Sequence, residues 1–172
     1  MNLVAAIEKE HSKAQCEKIV TYIGNSPKRF AELVNVFLSG PYRITQRSGW
    51  PLSYCIERHP NLIRPHLKRI LLFCKTPGVH TSVKRNVMRL LQFIDVPKSL
   101  QGLVADLGFS FLQDTKEPIA VRVFAMTALV RLVQVLPDLK NELIPIIEDQ
   151  LPYGGPAFTS RGRKALKELK EI

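Results

Sequence analysis

The sequence has few of the residues that build covalent cross-links or metal sites. It contains three cysteines and four histidines in 172 residues, without a Cys-x-x-Cys or a His-Glu-x-x-His spacing. Cys16, Cys55 and Cys74 stand among apolar residues at helical spacing, which favours small buried side chains in a reducing compartment over disulfide bonds. No glycine-rich phosphate loop precedes a predicted helix, and no acid is paired with a base by local sequence. We therefore predict no metal, no cofactor and no catalytic residue.

Long apolar runs are also missing. No stretch approaches about 18 uninterrupted apolar residues, the length that a membrane-spanning helix needs. Glu8, Lys9 and Glu10 follow directly on a short apolar run, whereas a signal peptide has a basic start and a longer apolar core. We expect a cytoplasmic protein without a membrane partner.

Helical periodicity is present almost throughout the chain. Val, Ile, Leu and Phe recur at steps of three and four residues, and strand-like alternation is nearly absent. Proline, glycine, asparagine and aspartate separate the periodic segments. This pattern predicts an all-α fold with helices near 12–23, 27–39, 42–58, 61–75, 79–94, 98–113, 118–135, 138–151 and 157–170.

Prolines inside the predicted helices predict local irregularities. Trp50-Pro51 falls in the middle of helix 42–58. A proline there removes one backbone hydrogen bond and clashes with the preceding turn, so we expect a kink or a break. Pro65 and Pro145 stand nearer to their helix starts, where we expect less disturbance.

Four arginines indicate an internal repeat. Arg47, Arg85, Arg122 and Arg161 each stand early in a predicted second helix, at separations of 38, 37 and 39 residues. An apolar first helix precedes each of them, and a turn marked by proline follows three of them. A steady period in this range is the signature of helical repeat arrays, in which stacked helix pairs bury a continuous core.

The third unit carries a recognisable motif. Phe111-Leu112-Gln113-Asp114 is followed by Pro118-Ile119-Ala120-Val121-Arg122-Val123-Phe124-Ala125. This resembles the HEAT-repeat pattern, in which a first helix ends in Leu-x-Asp and the next opens with Val-Arg-x-x-Ala. The resemblance implies a right-handed α-α superhelix (a HEAT-like solenoid) of about four helix pairs plus an N-terminal capping helix. Within a single domain over 1–172, the expected parts are a cap at 1–26 and repeats at 27–58, 59–94, 95–135 and 136–172.

Two further resemblances, each to a more specific group of proteins, say little about mechanism. The chain is similar to a group of small bacterial HEAT-repeat (armadillo-like) proteins of unassigned function, through Trp50-Pro51-Leu52-Ser53-Tyr54, Val83-Lys84-Arg85-Asn86 and Glu148-Asp149-Gln150-Leu151-Pro152. It also distantly resembles the HEAT-like alkylpurine DNA glycosylase family, in which a basic groove carries an aspartate flanked by aromatic residues. The second helices here hold no acid except Glu57 and Glu168, near their ends, so no glycosylase residue set is carried over.

Positive charge concentrates on the predicted second helices. Together these four helices carry +11, against +10 for the whole chain, whose pI is about 9.8. In HEAT arrays the second helices line the concave surface, so the resemblance implies a basic groove. Such a groove suits an acidic partner; the alternative is a solvated basic face that serves solubility.

The cations are expected to divide between two roles. In HEAT repeats the arginine of the second helix often pairs with the aspartate before it, which implies a structural role for Arg122 and Asp114. A structural role for the whole arginine column stays open. The expected binding row comprises Arg47, Lys84, Arg85, Arg89, Arg131 and Arg163. Trp50 and Tyr54, one turn apart, either stack on a base or ring of a ligand or fill the core beside Pro51.

The sequence therefore favours a binding module over an enzyme. The preferred function is a non-enzymatic adaptor that binds an acidic protein segment in the basic concave groove. One alternative is a DNA- or RNA-binding HEAT protein, with DNA repair as one use of such binding. A second alternative is a self-associating structural protein, and the sequence leaves the oligomeric state open.

Overall fold

A computed structural model describes all residues, 1–172, and contains ten α-helices and no strand, which confirms the all-α prediction. The helices are α1 (Leu3–Lys9), α2 (Lys13–Ile23), α3 (Pro27–Ser39), α4 (Tyr42–Arg58), α5 (Leu67–Cys74), α6 (Thr81–Leu90), α7 (Lys98–Gln113), α8 (Ile119–Val133), α9 (Lys140–Gln150) and α10 (Gly155–Lys170). The chain divides into two compact units, Met1–Ile94 (the first unit) and Asp95–Ile172 (the second unit). None of the helices is long and apolar enough to cross a membrane.

Helix α4 is the centre of the first unit. It packs against α2, α3 and α6, while α5 packs against α3 and α6. Helices α2, α4 and α6 thus follow one another through direct contact as the second helices, and α3 and α5 as the first helices. The fully buried side chains between them include Phe30, Leu33, Phe37, Leu52, Ile56 and Ile70.

Helix α8 is the centre of the second unit. It packs against α7 and α10, and α9 packs against α10. The fully buried side chains include Leu112, Ala125, Leu129, Leu143 and Phe158. In both units the same rule holds: one helix pair exposes an apolar face that the next pair covers.

Local sequence signals determine several of the helix ends. The side chains of Ser12 and Ser26 accept hydrogen bonds from the backbone N–H groups of Gln15 and Arg29, which caps the starts of α2 and α3. Helix α2 ends at Gly24, whose φ of +52° is a conformation that other residues rarely adopt. These signals explain why the predicted bounds of α2 and α3 agree with the structure.

The short helix α1 was not among the predicted helices. Its seven residues are too few to form a stable helix alone. The buried Gln15 side chain donates to the carbonyl of Ala6 at 2.6 Å, and Arg47 Nη1 donates to the carbonyl of Glu8 at 3.0 Å. Tertiary contacts therefore stabilise this helix, and these contacts cannot be predicted from the local sequence.

The prolines act differently from the sequence expectation. Helix α4 continues through the buried Pro51, so of the kink or break expected there, the break does not occur. The predicted helix 61–75 instead divides into a 3₁₀ turn, Pro60–Ile63, and α5 beyond Pro65. The expectation of less disturbance at Pro65 than at Pro51 is therefore wrong, because α5 begins only after Pro65, whereas α9 does continue through Pro145.

The three cysteines are free and buried, as expected of small apolar side chains. Burial raises the pKa of Cys16 to about 12 and that of Cys55 to about 12. Both thiols therefore stay protonated at neutral pH, which makes them poor nucleophiles.

The role of Phe158 in the second unit can be tested directly. Phe158→Ala removes a fully buried ring and is expected to lower the free energy of unfolding by about 3–5 kcal/mol, through lost burial and the cavity left behind. Urea denaturation followed by circular dichroism measures the loss. The matched control is Tyr153→Ala, whose side chain is 88% exposed and whose loss is expected to stay within about 0.5 kcal/mol. Equal losses in the two variants would contradict the packing described here.

Candidate binding surface

Six side chains of the first unit make up a group that we call the arginine–aromatic cluster. Contacts or a shared niche join five of them, and the sixth, Arg85, acts electrostatically on His11. Three of them come from one face of α4, two come from α6, and one precedes α2. They are His11, Arg47, Trp50, Tyr54, Arg85 and Arg89. Residues 47, 50 and 54 lie at steps of three and four, and 85 and 89 at a step of four, so each helix presents its members on one side.

The aromatic members of the cluster contact each other edge to face. The His11 and Trp50 ring centroids are 5.4 Å apart at 67°, and those of Trp50 and Tyr54 are 6.2 Å apart at 71°. Trp50 and Tyr54 are both half-buried. Each ring therefore packs on its neighbours and still presents part of its surface to solvent.

Arg89 is held in place by several groups at once. Its guanidinium donates to Ser53 Oγ at 2.8 Å and pairs with the Glu57 carboxylate at 2.7 Å. It also lies 4.6 Å from the centroid of the Tyr54 ring. Because Glu57 compensates its charge, Arg89 adds little net positive charge to the cluster and instead covers part of the tyrosine ring.

Arg47 keeps its charge although it is hydrogen-bonded. Its Nη1 donates to the carbonyls of Ile7 at 3.4 Å and Glu8 at 3.0 Å, near the C-terminal end of α1. Carbonyl groups carry no formal charge, so the guanidinium remains a full cation. A cation at the end of a helix is also favoured by the helix dipole.

Arg85 is the most accessible cation of the cluster. Its side chain is exposed and has no hydrogen-bond or ion-pair partner in the structure. Burial lowers the pKa of His11, and the nearby Arg47 and Arg85 guanidinium groups lower it further. Both arginines therefore act on the charge of His11, which links Arg85 to the other members of the cluster.

A small niche opens beside the cluster. It is lined by His11, Arg47, Trp50 and Pro51, together with Glu10 and Cys16. Its size admits about one water molecule. The surface is therefore suited to an extended or flat ligand that lies over it, and not to a molecule that must be enclosed.

The remaining residues of the expected binding row lie apart from the cluster. Lys84 is half-buried on α6 and has an interaction partner of its own. In the second unit, the exposed Arg131 lies 3.7 Å from the Asp95 carboxylate, and Arg163 is exposed on α10. The structure thus brings together Arg47, Arg85 and Arg89 with both predicted aromatic residues.

Arg122 is held inside the second unit, but not by the expected aspartate. Its guanidinium donates to the side-chain oxygen of Gln150 and to the carbonyl of Leu112, and lies 4.6 Å from the centroid of the Phe158 ring. Asp114 forms no ion pair with it and instead accepts a hydrogen bond from the backbone N–H of Lys116. Burial lowers the pKa of Arg122, and the charge of Asp114 opposes that shift.

Sequence reasoning missed His11 as a member of the cluster. His11 stands 39 residues before Trp50, which is one repeat length. Extending the arginine period towards the N-terminus would have placed it beside α4. No group of three or more His, Cys, Asp or Glu side chains lies close enough together to hold a metal ion.

Comparison with known proteins identifies the architecture. The family model of the HEAT repeat domain matches residues 3–169, almost the whole chain. This match confirms the resemblance first seen in the third unit. No curated protein and no solved structure matches the chain.

The electrostatic link between His11 and the two arginines can be measured. Arg85→Gln removes a positive neighbour and is expected to raise the pKa of His11 towards 6.5, its ordinary value. Arg47→Gln is expected to raise it more, because Arg47 has the larger effect. Titration of the ring protons by NMR reports the pKa, with Arg163→Gln in the second unit as the unaffected control. A His11 pKa that falls in Arg85→Gln would contradict the geometry.

The same pKa has a consequence for stability. Folding lowers the pKa of His11, so the unfolded chain binds a proton more readily than the folded one. The contribution of His11 to stability is therefore greatest above its unfolded pKa of about 6.5. It is lost as the pH falls from there through the folded pKa.

Proposed function

The chain belongs to the HEAT repeat domain family, and from that premise we propose that it is a non-enzymatic binding module that takes an acidic protein segment on the arginine–aromatic cluster. HEAT repeats mediate interactions with proteins or nucleic acids. The family alone does not select the partner, because function depends on the site and not on the fold. The arguments for an acidic partner come from the charge and the chemistry of the cluster.

The observation that carries the proposal is the division of charge between the two units. The first unit has fifteen lysines and arginines against five acidic residues, and the second has ten against ten. The whole net charge of +10 therefore belongs to the first unit. A surface of this sign attracts negatively charged partners and raises their rate of association.

Within that unit, Arg47 and Arg85 supply the positive charge of the cluster. Arg85 is exposed and unpaired, and Arg47 contacts only uncharged carbonyl groups. A guanidinium offers two parallel N–H donors, which match the two oxygens of a carboxylate. We assign Arg85 to the first carboxylate of the partner, with Arg47 adding long-range attraction.

The aromatic members give the proposed partner a second feature. Trp50 is half-buried against His11 and Tyr54, so an apolar side chain that covers it completes its burial. Tryptophan, tyrosine and arginine are the residues that most often dominate the energetics of protein interfaces. The proposed partner is thus an acidic segment with at least one apolar side chain next to its carboxylates.

A glutamate-rich peptide that carries one phenylalanine tests this proposal. Binding followed by fluorescence polarisation is expected to weaken as salt is added, because screening reduces the attraction between exposed charges. Arg85→Glu is expected to weaken binding by about tenfold, since reversal replaces an attraction with a repulsion.

Two matched variants make the result specific. Arg163→Glu applies the same charge change to an exposed, unpaired arginine of the second unit and should leave the affinity nearly unchanged. Trp50→Ala should weaken the phenylalanine-containing peptide more than a peptide of glutamate alone. Two results would contradict the electrostatic proposal: an affinity that does not depend on ionic strength, or equal losses of affinity in Arg85→Glu and Arg163→Glu.

A nucleic acid is the second candidate partner, and one observation favours it. From residue 58 to residue 94 the chain has eight lysines and arginines and no aspartate or glutamate. An acid-free stretch of this length suits a phosphate backbone, whose binding depends on neutralised phosphates and released counterions. The face of Tyr54 that Arg89 covers is less available for stacking on a base.

A gel-shift assay with random duplex DNA separates the two candidates. A nucleic-acid partner predicts a shift at low salt and an affinity that falls steeply as salt rises. Reversal of Lys84, Arg85 and Arg89 together should then abolish the shift. The absence of any shift at low salt, with the glutamate-rich peptide still bound, leaves the acidic segment as the partner.

A further inference from the structure

The first helices of the two units carry exposed charges that lie outside the arginine–aromatic cluster. On the first unit, the outer side of α5 and the turn before it present a row that we call the basic stripe. Its members lie at steps of three and four residues, and all are exposed: Arg64, Lys68, Leu72 and Lys75. None of the three cations has a side-chain partner in the structure, and Leu72 is 50% exposed.

On the second unit, α9 and the 3₁₀ turn before it present a row of the opposite sign. This acidic stripe also follows steps of three and four residues, and its members are exposed: Asp138, Glu142, Pro145 and Asp149. None of its three carboxylates has a side-chain partner. Each stripe thus consists of three charges of one sign and one apolar residue.

The charges of the two stripes match each other position by position. We align α5 and α9 in parallel, with each preceding turn included. Each of the three charges of the basic stripe then stands opposite one charge of the acidic stripe. The aligned pairs are Arg64 with Asp138, Lys68 with Glu142, and Lys75 with Asp149, whereas Leu72 aligns with Ile146, one position beyond Pro145. Both stripes span 11 residues between their outer charges, and the last two charges of each stand seven residues apart, about 10 Å along a helix axis.

We propose that the basic stripe of one copy of the chain docks on the acidic stripe of a second copy. Opposite charges then face each other along the contact, and the two apolar residues meet inside it. An arrangement with an apolar centre and a charged rim is the usual anatomy of a protein interface. A second copy is the occupant because the same sequence carries both complementary halves at the same spacing.

The expected association is weak and sensitive to salt. One pair of stripes covers much less than the area of about 1,200 Å² that stable interfaces bury. Exposed ion pairs contribute little individually and are screened by ions. Since every copy has both stripes, a pair of copies makes either one such contact, in a head-to-tail array, or two reciprocal ones, in a closed dimer.

This proposal is independent of the acidic segment proposed for the arginine–aromatic cluster. None of its residues belongs to that cluster. Arg85→Glu is therefore expected to leave self-association unchanged, and Lys68→Glu to leave the effect of Arg85 on peptide binding intact. Failure of either proposal can be recognised without the other.

A charge-swap experiment on the full chain tests the contact. Sedimentation equilibrium at up to about 1 mM protein in low salt should show reversible association that disappears at high salt. Lys68→Glu alone and Glu142→Lys alone should each reduce it at least severalfold, because each places like charges opposite each other. An equimolar mixture of the two variants should associate again, since the two reversed side chains then face each other with opposite charges.

Matched variants and a second pair complete the design. Lys28→Glu on α3 and Glu148→Lys on α9 make the same charge changes at exposed, unpaired positions outside the stripes and should not alter association. Lys75→Glu with Asp149→Lys repeats the swap at the other end, should Glu142→Lys disturb the start of α9. Circular dichroism verifies the fold of each variant. A chain that stays monomeric at low salt overturns the proposal, as does association that survives both single reversals or a mixture that fails to restore it.

Discussion

The close approach of α4 and α6 is the contact on which the first unit and its surface depend. A Cβ atom on Gly49 would stand 2.9 Å from Asn86 Nδ2 and 3.4 Å from the Phe37 ring, so only glycine permits this separation without movement of its neighbours. The buried Ser48 and Ser53 beside it are also small. The short distance lets Arg89 of α6 reach both Ser53 and Glu57 of α4. The close packing of α4 and α6 therefore also determines the geometry of the arginine–aromatic cluster.

Much of the fold was predictable because its signals are local. Helical periodicity, the breaks at proline, glycine, asparagine and aspartate, and the arginine period with its HEAT-like motif gave nine of the ten helices and the HEAT architecture. The predictions fail where tertiary contacts or backbone details determine whether a helix forms and where it is interrupted. Helix α1 is held by hydrogen bonds from Gln15 and Arg47 to carbonyls in it. The helix interruption falls at Pro65 and not at Pro51, which is buried in α4 among its contacts with α2, α3 and α6. Neither cause is visible in a short window of sequence.

The partners of the cations were much less predictable. Arg89 pairs with Glu57 and Arg161 with Glu168, and Arg122 turns from the expected Asp114 to Gln150. Most of these partners stand far along the chain or on another helix, and their choice depends on a rotation of the side chain. The repeat period predicts which residues share a layer, as with His11 and Trp50, but not which charges compensate each other. The charge count of the second helices left out Glu17 and Asp95, which pair with Arg58 and Arg131 from outside those helices. It also gave no weight to the unpaired Lys68 on α5 and Lys75 at its end.

The unequal division of charge also has a mechanical meaning for the chain. Like charges within the first unit repel each other and destabilise its compact state. The second unit has equal numbers of positive and negative charges and therefore no net repulsion of this kind. Ions in solution relieve that repulsion in one unit and leave the other nearly unaffected. The stability of the first unit therefore depends on the salt concentration, whereas that of the second unit does so much less. An anion bound to the first unit would stabilise that unit alone.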